Sequence, residues 1–284
     1  MQGDPSLVPK REANLQVARQ LWPVFVAGFG LFLATLWMVR YEWGLSRQYG
    51  GWHHLVAELI WVIVPFSVFH VGWHADITRQ TLRGLVFSVI FLGVAFLNLC
   101  YLLSMPDMPA FITTNSLNKA VLFGYASSLF ATISLLGASF LPIRRIRHET
   151  RLHTLGASLA IVFFIAYLVL AYEQGLPRFF IGEDPVWATY RAFRLVITCL
   201  SCLVFARWIH IYGRIKKPSY RYMLTALGIW AFGQVIFLFP SYELMPCSSL
   251  GYIYKMICAV YLYRGVSVAA LKRPYRSLDR ARQR

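Results

Sequence analysis

Charged residues are scarce in this chain: only 14% of 284 residues are Asp, Glu, Lys or Arg, and only 12 of those are acidic. An ordinary soluble domain carries about 25% charge, so a soluble fold of this size is excluded as a reading. Cysteine is sparse too, with Cys100, Cys199, Cys202, Cys247 and Cys258. Cys199 and Cys202 have C-x-x-C spacing, but no second such pair completes a four-ligand zinc site and no strand-helix-strand context surrounds them. Their setting is an apolar stretch, where free cysteines behave as small hydrophobes. Catalytic signatures are absent as well: there is no G-x-S-x-G, H-E-x-x-H, phosphate loop or intramembrane aspartate pair. The chain therefore reads as a non-enzyme. It also lacks internal repeats, heptads and low-complexity linkers, which leaves one domain with polar ends.

What the chain has in abundance is apolar sequence, with 58% hydrophobic residues. A helix needs about 20 mainly apolar residues to cross the hydrocarbon core, because every backbone group must be bonded internally there. Eight stretches qualify: 21–39, 55–73, 84–105, 120–141, 155–172, 188–212, 222–239 and 250–271. The first is too long for a signal h-region and lacks a clear small-residue cleavage site, so it reads as a retained helix. The sixth is interrupted by Arg191, Arg194 and Arg207.

The basic residues decide orientation. With the N-terminus inside, Lys10, Arg11, Arg19, Arg79, Arg83, Arg144, Arg145, Arg147, Arg151, Arg207, Arg214, Lys216, Lys217, Arg221 and the tail from Lys272 to Arg284 all face the cytoplasm. The opposite connections hold only Arg40, Arg47, Lys119, Arg178, Arg191 and Arg194, and add Glu42, Asp107, Glu173, Glu183, Asp184 and Glu243. That imbalance is the positive-inside pattern for an even number of spans. Dropping the sixth span would put Arg214 to Arg221 on the wrong side. The expected architecture is all-α: a polytopic bundle of eight transmembrane helices (21–271), a cytoplasmic N-terminal segment (1–20) and a basic cytoplasmic tail (272–284). The net charge of +16 then points to anionic lipid headgroups as partner. Nucleic acid is not expected, since no basic domain with an aromatic stacking pattern is present. Trp22, Trp43, Trp52, Tyr222 and Tyr242 fall at expected interfaces, as an aromatic belt does.

Ionisable groups inside hydrocarbon are costly, by about 2.5 to 3.5 kcal/mol at the centre on insertion scales, so each needs a reason. Glu58, Arg194 and Lys255 lie about one turn inside the outer ends of the second, sixth and eighth stretches. Asn98, Tyr101, Ser128 and Tyr252 fall at similar depth, and His54 precedes Glu58 by one helical turn. Two readings stay open: a polar pocket holding one carboxylate against two cations and suited to an anion, or side chains that snorkel or pair to fix packing. His70 and His74 share a helix face, and with His210 they raise a haem or metal reading that lacks a full ligand set. No cofactor is named by these residues.

Several phrases carry a resemblance: His54-Leu-Val-Ala-Glu58, NLCYLLSMPDMP from Asn98 to Pro109, GLPRFF from Gly175 to Phe180, and Gly251-Tyr-Ile-Tyr-Lys255 followed by Tyr263-Arg264 and Arg273-Pro-Tyr275. Together, in order and spacing over about 51–278, they resemble the third class of bacterial membrane-associated sensor domains. The resemblance implies a multi-helix input module, usually followed by a diguanylate cyclase, histidine kinase or other output, and supplies no ligand. His54, Glu58, Met108 and Lys255 match family residues. Asn98 and Tyr101 stand where the family tends to have D-x-x-H, Ser128 stands near a family arginine, Arg194 where glutamate is common, and Tyr252 replaces the histidine of G-H-x-x-K. With the chain stopping at Arg284, the expectation is a signal passed to a separate cyclase or kinase, or a membrane half detached from its output, in the bacterial inner membrane, with a second copy of the chain as a further candidate partner. A small transporter is the alternative.

Overall fold

The computed structural model describes residues 47–75, 80–106, 108–110, 112–146, 148–181, 184–215, 218–238 and 245–268. Among them the chain forms seven helices: α1 Arg47–Trp73, α2 Leu82–Leu103, α3 Leu117–Phe140, α4 His148–Ala171, α5 Trp187–Ile215, α6 Pro218–Ile236 and α7 Met245–Ser267. They take up the second to eighth apolar stretches in order. The first stretch, 21–39, and both termini lie outside the described residues. Five of the helices, α1 to α5, are long and apolar enough to cross a membrane. The interrupted sixth stretch folds as one continuous helix, α5, arginines included.

Helix starts follow from local chemistry. The Thr81 hydroxyl accepts from the Gly84 amide at the head of α2, and the Ser116 hydroxyl accepts from the Lys119 amide at the head of α3. Each satisfies an amide that has no intrahelical partner. Pro218 opens α6, where its missing N–H costs nothing.

Six helices close a ring. α1 packs on α2 and α7, α2 on α3, α3 on α5, α5 on α6, and α6 on α7, while α4 lies outside against α2 and α3. The ring has two unlike ends. At one, which we call the basic end, Arg83 Nη2 donates to Leu141 O at 2.6 Å and to Ser139 O at 3.2 Å, satisfying carbonyls at the end of α3. Arg151 donates to Trp73 O at the end of α1, and its guanidinium lies 4.3 Å over the Trp73 ring. Cations at helix C-termini meet both orphan carbonyls and the negative end of the dipole. The connection before α2 pairs with the one before α4 through Leu82 N to Arg144 O at 2.9 Å.

At the other end, the hairpin end, connections 104–116 and 172–186 come together. A two-residue ladder joins β1 Phe180–Ile181 to β2 Asp184–Pro185. The Ser116 hydroxyl bonds the Glu173 carboxylate, and the Phe179 amide donates to Asn118 Oδ1 at 2.8 Å. Lys119 is only 1% exposed, and its ammonium donates to Thr113 O, Thr113 Oγ1, Thr114 O and Asn115 Oδ1. The chain wraps around this cation as it would around a metal ion. To do so Ile112 takes φ 68°, a left-handed conformation that a β-branched residue adopts only under constraint.

Replacing Lys119 by Met would leave several of those oxygens unmatched. We expect Lys119→Met to destabilise the protein by about 2 kcal/mol, read as a lower unfolding temperature in detergent.

Candidate sensory site

The ring interior differs along its length. Toward the basic end it is filled: Trp208 of α5 meets Phe87 of α2 at 6.1 Å, and donates its indole N–H to Leu135 O of α3 at 3.4 Å. Nearer the middle, Trp61 of α1 stacks on Trp230 of α6 with centroids 5.1 Å apart and planes 9° from parallel. Trp230 in turn donates to Ser201 Oγ of α5 at 3.1 Å. α1 and α6 are separated in the ring by α7, so this stack spans the interior and forms a floor.

Above the floor stand the charges. Lys255 Nζ of α7 donates to both carboxylate oxygens of Glu58 of α1, at 2.7 and 2.8 Å. Glu58 is 3% exposed. Helical spacing supplies each charge with a ring from its own helix: Trp61 follows Glu58 by three residues and Tyr252 precedes Lys255 by three. The Lys255 ammonium lies 5.5 Å from the Trp61 centroid and 5.8 Å from that of Tyr252. These are cation–π distances, and they hold the ammonium from a second side.

Arg194 of α5 is seated among three rings. Its guanidinium carbon is 4.7 Å from the Phe237 centroid, 4.9 Å from Tyr125 and 5.3 Å from Tyr190. Tyr125 is backed on its other face by Phe179, at 4.6 Å and 19°. The hairpin-end connection thus supports the cage. The Tyr190 hydroxyl lies 3.4 Å from Arg194 Nη2, while the buried Nε has no partner. Among the described residues no carboxylate lies in salt-bridge range of Arg194; the one ion pair described is Glu58 with Lys255.

Glu58, Lys255, Arg194, Tyr101 and Tyr252 are close enough to act electrostatically on one another. These five share one layer, and within it Glu58 and Lys255 pair with each other, as the packing alternative expects, and do not snorkel. Its depth has two measures. The layer lies about one turn into the apolar runs but roughly three turns, or about 15 Å, into α1 and α7. Both helices begin before their apolar runs, at Arg47 and Met245.

The remaining candidates distribute as follows. Asn98 is buried and its amide donates to Val94 O at 2.7 Å and to Ser127 Oγ at 2.8 Å. The hydroxyl it meets belongs to Ser127, not to its neighbour Ser128, which is half-buried and contributes its carbonyl to Thr132. The stripe Phe123, Ser127 and Ala131 at four-residue spacing marks the inward face of α3, and that signal selects Ser127. Tyr101 is buried and Tyr252 half-buried in the layer. His54 lies in α1 with its side chain outside the described residues. Trp61, Tyr125, Tyr190 and Phe237 were not anticipated; Trp61, three residues after Glu58, and Tyr190, four before Arg194, are legible from spacing.

His70 and His74 sit on one face of α1 at the basic end, rings 4.6 Å apart and exposed. Among the described residues no three His, Cys, Asp or Glu side chains gather to hold a metal. Cys199 and Cys202 are exposed on α5 and unpaired.

A sequence comparison matches the family described as membrane-associated sensor domain over residues 45–274. The chain belongs to the MASE3 membrane-associated sensor domain family. The match covers all seven helices and begins just before α1, so the sensor domain includes the whole ring and both partners of the ion pair. No curated protein and no solved structure matches the chain.

Removing one partner of a buried pair leaves the other charge uncompensated. We expect Glu58→Gln or Lys255→Met alone to cost the sensor domain about 3 to 5 kcal/mol. The double variant Glu58→Gln/Lys255→Met should recover much of that loss, and a double-mutant cycle on unfolding free energies in detergent measures the coupling.

Proposed function

We propose that this multi-pass membrane domain is a non-enzymatic sensory input module that takes an anionic ligand from the extracytoplasmic side and relays its presence through α7. The observation that carries the ligand reading is charge balance. Glu58 and Lys255 neutralise each other, and among the described residues Arg194 is left as a net positive charge between aromatic rings. A cation in that setting is stabilised by a visiting anion, because Coulomb attraction is stronger where water is scarce.

The build of the helices supports a sensor over a small transporter. Secondary transporters place their sites near the midplane on broken helices and show inverted repeats, whereas α1, α5 and α7, which carry the charges, are each one continuous helix and no repeat is visible in the sequence. The distribution of basic residues supports eight spans with both termini cytoplasmic, in the inner membrane of a bacterium. On that reading the hairpin end faces outward and the basic end inward. Arg83 and Arg151 are occupied by helix ends, whereas Arg144 and Arg145 are exposed beside Ile143 and form the patch suited to anionic headgroups.

The relay follows from where the ligand would act. Arg194 touches Phe237 after α6, and Lys255 is on α7, so an anion that favours one arrangement of α5 against α6 and α7 shifts the end of α7. The shift is bounded by the ligand's differential affinity for the two arrangements. Beyond α7, a signalling output such as a cyclase or kinase, or a second copy of the chain, would receive it.

The domain fused to a reporter output tests this. We expect Glu58→Gln, Lys255→Met and Tyr101→Phe to change the basal or stimulated output by several-fold in at least one case. An unchanged response in all three variants, with normal membrane levels of each protein, would end the proposal.

A further inference from the structure

The electrostatics of the layer narrow the ligand beyond its sign. Among the described residues the site carries one uncompensated positive charge, that of Arg194, since Glu58 takes both of its contacts from Lys255. A single negative charge balances it; a divalent anion would leave an uncompensated charge in a setting where that is costly.

Shape follows from the guanidinium. The rings of Tyr125, Tyr190 and Phe237 crowd the guanidinium carbon, so a ligand would bond through its N–H groups. One of its five N–H donors reaches the Tyr190 hydroxyl at a long 3.4 Å, and Nε has no acceptor. A guanidinium edge presents parallel N–H groups whose fork matches a planar group with two oxygens on one side. The stacked rings hold that plane fixed, since Tyr125 is clamped between Arg194 and Phe179.

Size follows from the surroundings. The Trp61–Trp230 floor closes the space below, and Gly251 of α7 sits so close to the Phe237 ring that a methyl group there would overlap it. The wall around Arg194 has little slack.

We infer that Arg194 holds a compact, singly charged, planar oxyanion of the carboxylate, nitrate or bicarbonate type, bonded edge-on through its fork. The inference rests on the sensory reading above and assigns that site its ligand class. Glu58 and Lys255 then act as a neutral latch beside the anion and make no direct bond to it.

The test uses the full chain purified in detergent or nanodiscs, titrated with sodium formate, nitrate and bicarbonate, and with chloride and sulfate at matched ionic strength. Thermal unfolding and tryptophan fluorescence report binding. We expect the three planar monoanions to bind at least about tenfold more tightly than chloride or sulfate. Arg194→Lys keeps the charge but loses the fork, and should lose about tenfold of that preference. The anion-free unfolding temperature of Arg194→Lys should match that of the parent chain, which guards against a variant that merely misfolds. Equal effects of chloride, sulfate and nitrate, or an unchanged preference in Arg194→Lys, would overturn the inference. If no anion binds while Glu58→Gln still alters the reporter output, this inference fails and the sensory reading stands. If planar anions bind as expected while the reporter variants are silent, the ligand class holds and the sensory reading fails.

Discussion

The ion pair between Glu58 and Lys255 is the contact on which this architecture turns. It links positions 197 residues apart, joining the first and last helices of the described ring. The other ring interfaces join helices consecutive in sequence and linked by a single connection, except that α3 meets α5 across the intervening α4. The α1–α7 seam has no such connection to hold it. In hydrocarbon neither charge is tolerable alone, so each helix gains its place only in the presence of the other. Two rings from the same two helices, Trp61 and Tyr252, face the ammonium and make the register of the seam specific.

That seam also separates two kinds of interior. Below it, packing is aromatic and complete; above it, the side chains are tyrosines, a carboxylate and two cations. The division has a simple origin in the positions of the large residues. Trp208 and Phe87 occupy the half nearer the basic end, and the Trp61–Trp230 stack caps that half. Buried hydroxyls there, such as those of Ser88 and Thr132, bond carbonyls of their own helix, whereas the charged layer gathers where hydroxyls, a carboxylate and ring faces meet.

Much of this was legible from residues alone, and the reason is energetic. Glu58, Arg194 and Lys255 stood out because charges are rare in apolar runs, and their common depth followed from counting along helices whose direction the basic connections set. The choice between Ser127 and Ser128 was not legible by depth, since neighbours on a helix differ by 100° in direction and almost nothing in height. The aromatic cage was hidden for another reason. Tyrosines near expected interfaces read as a belt, and only the packing of α3 on α5 turns Tyr125 inward onto Arg194. Lys119 shows the same gap: counted among the charges of an outer connection, it is the buried centre around which that connection folds.

The seam between α6 and α7 is of a different kind from the one between α1 and α7, and the contrast bears on how the domain could move. At one end of α6–α7, Gly251 lies against the Phe237 ring; at the other, Gly265 lies so close to Met223 and the Ser219 carbonyl that an added methyl group would meet them at 3.2 to 3.4 Å. Close contact at both ends ties the two helices into a hairpin that shifts as a body, because small residues let the backbones approach too closely to slide independently. The hairpin's attachment to α1 at the charged layer is one ion pair with its two flanking rings. Its attachment to α5 runs through Arg194 on Phe237 at the same level, and through the Thr198 hydroxyl to Gln234 O at 3.2 Å, about one turn on. Further attachments lie below that layer, in the Trp61–Trp230 stack, the Trp230–Ser201 bond and Trp208 against Tyr220. A change in charge balance therefore acts on one end of a stiff pair of helices whose other end is held by packing.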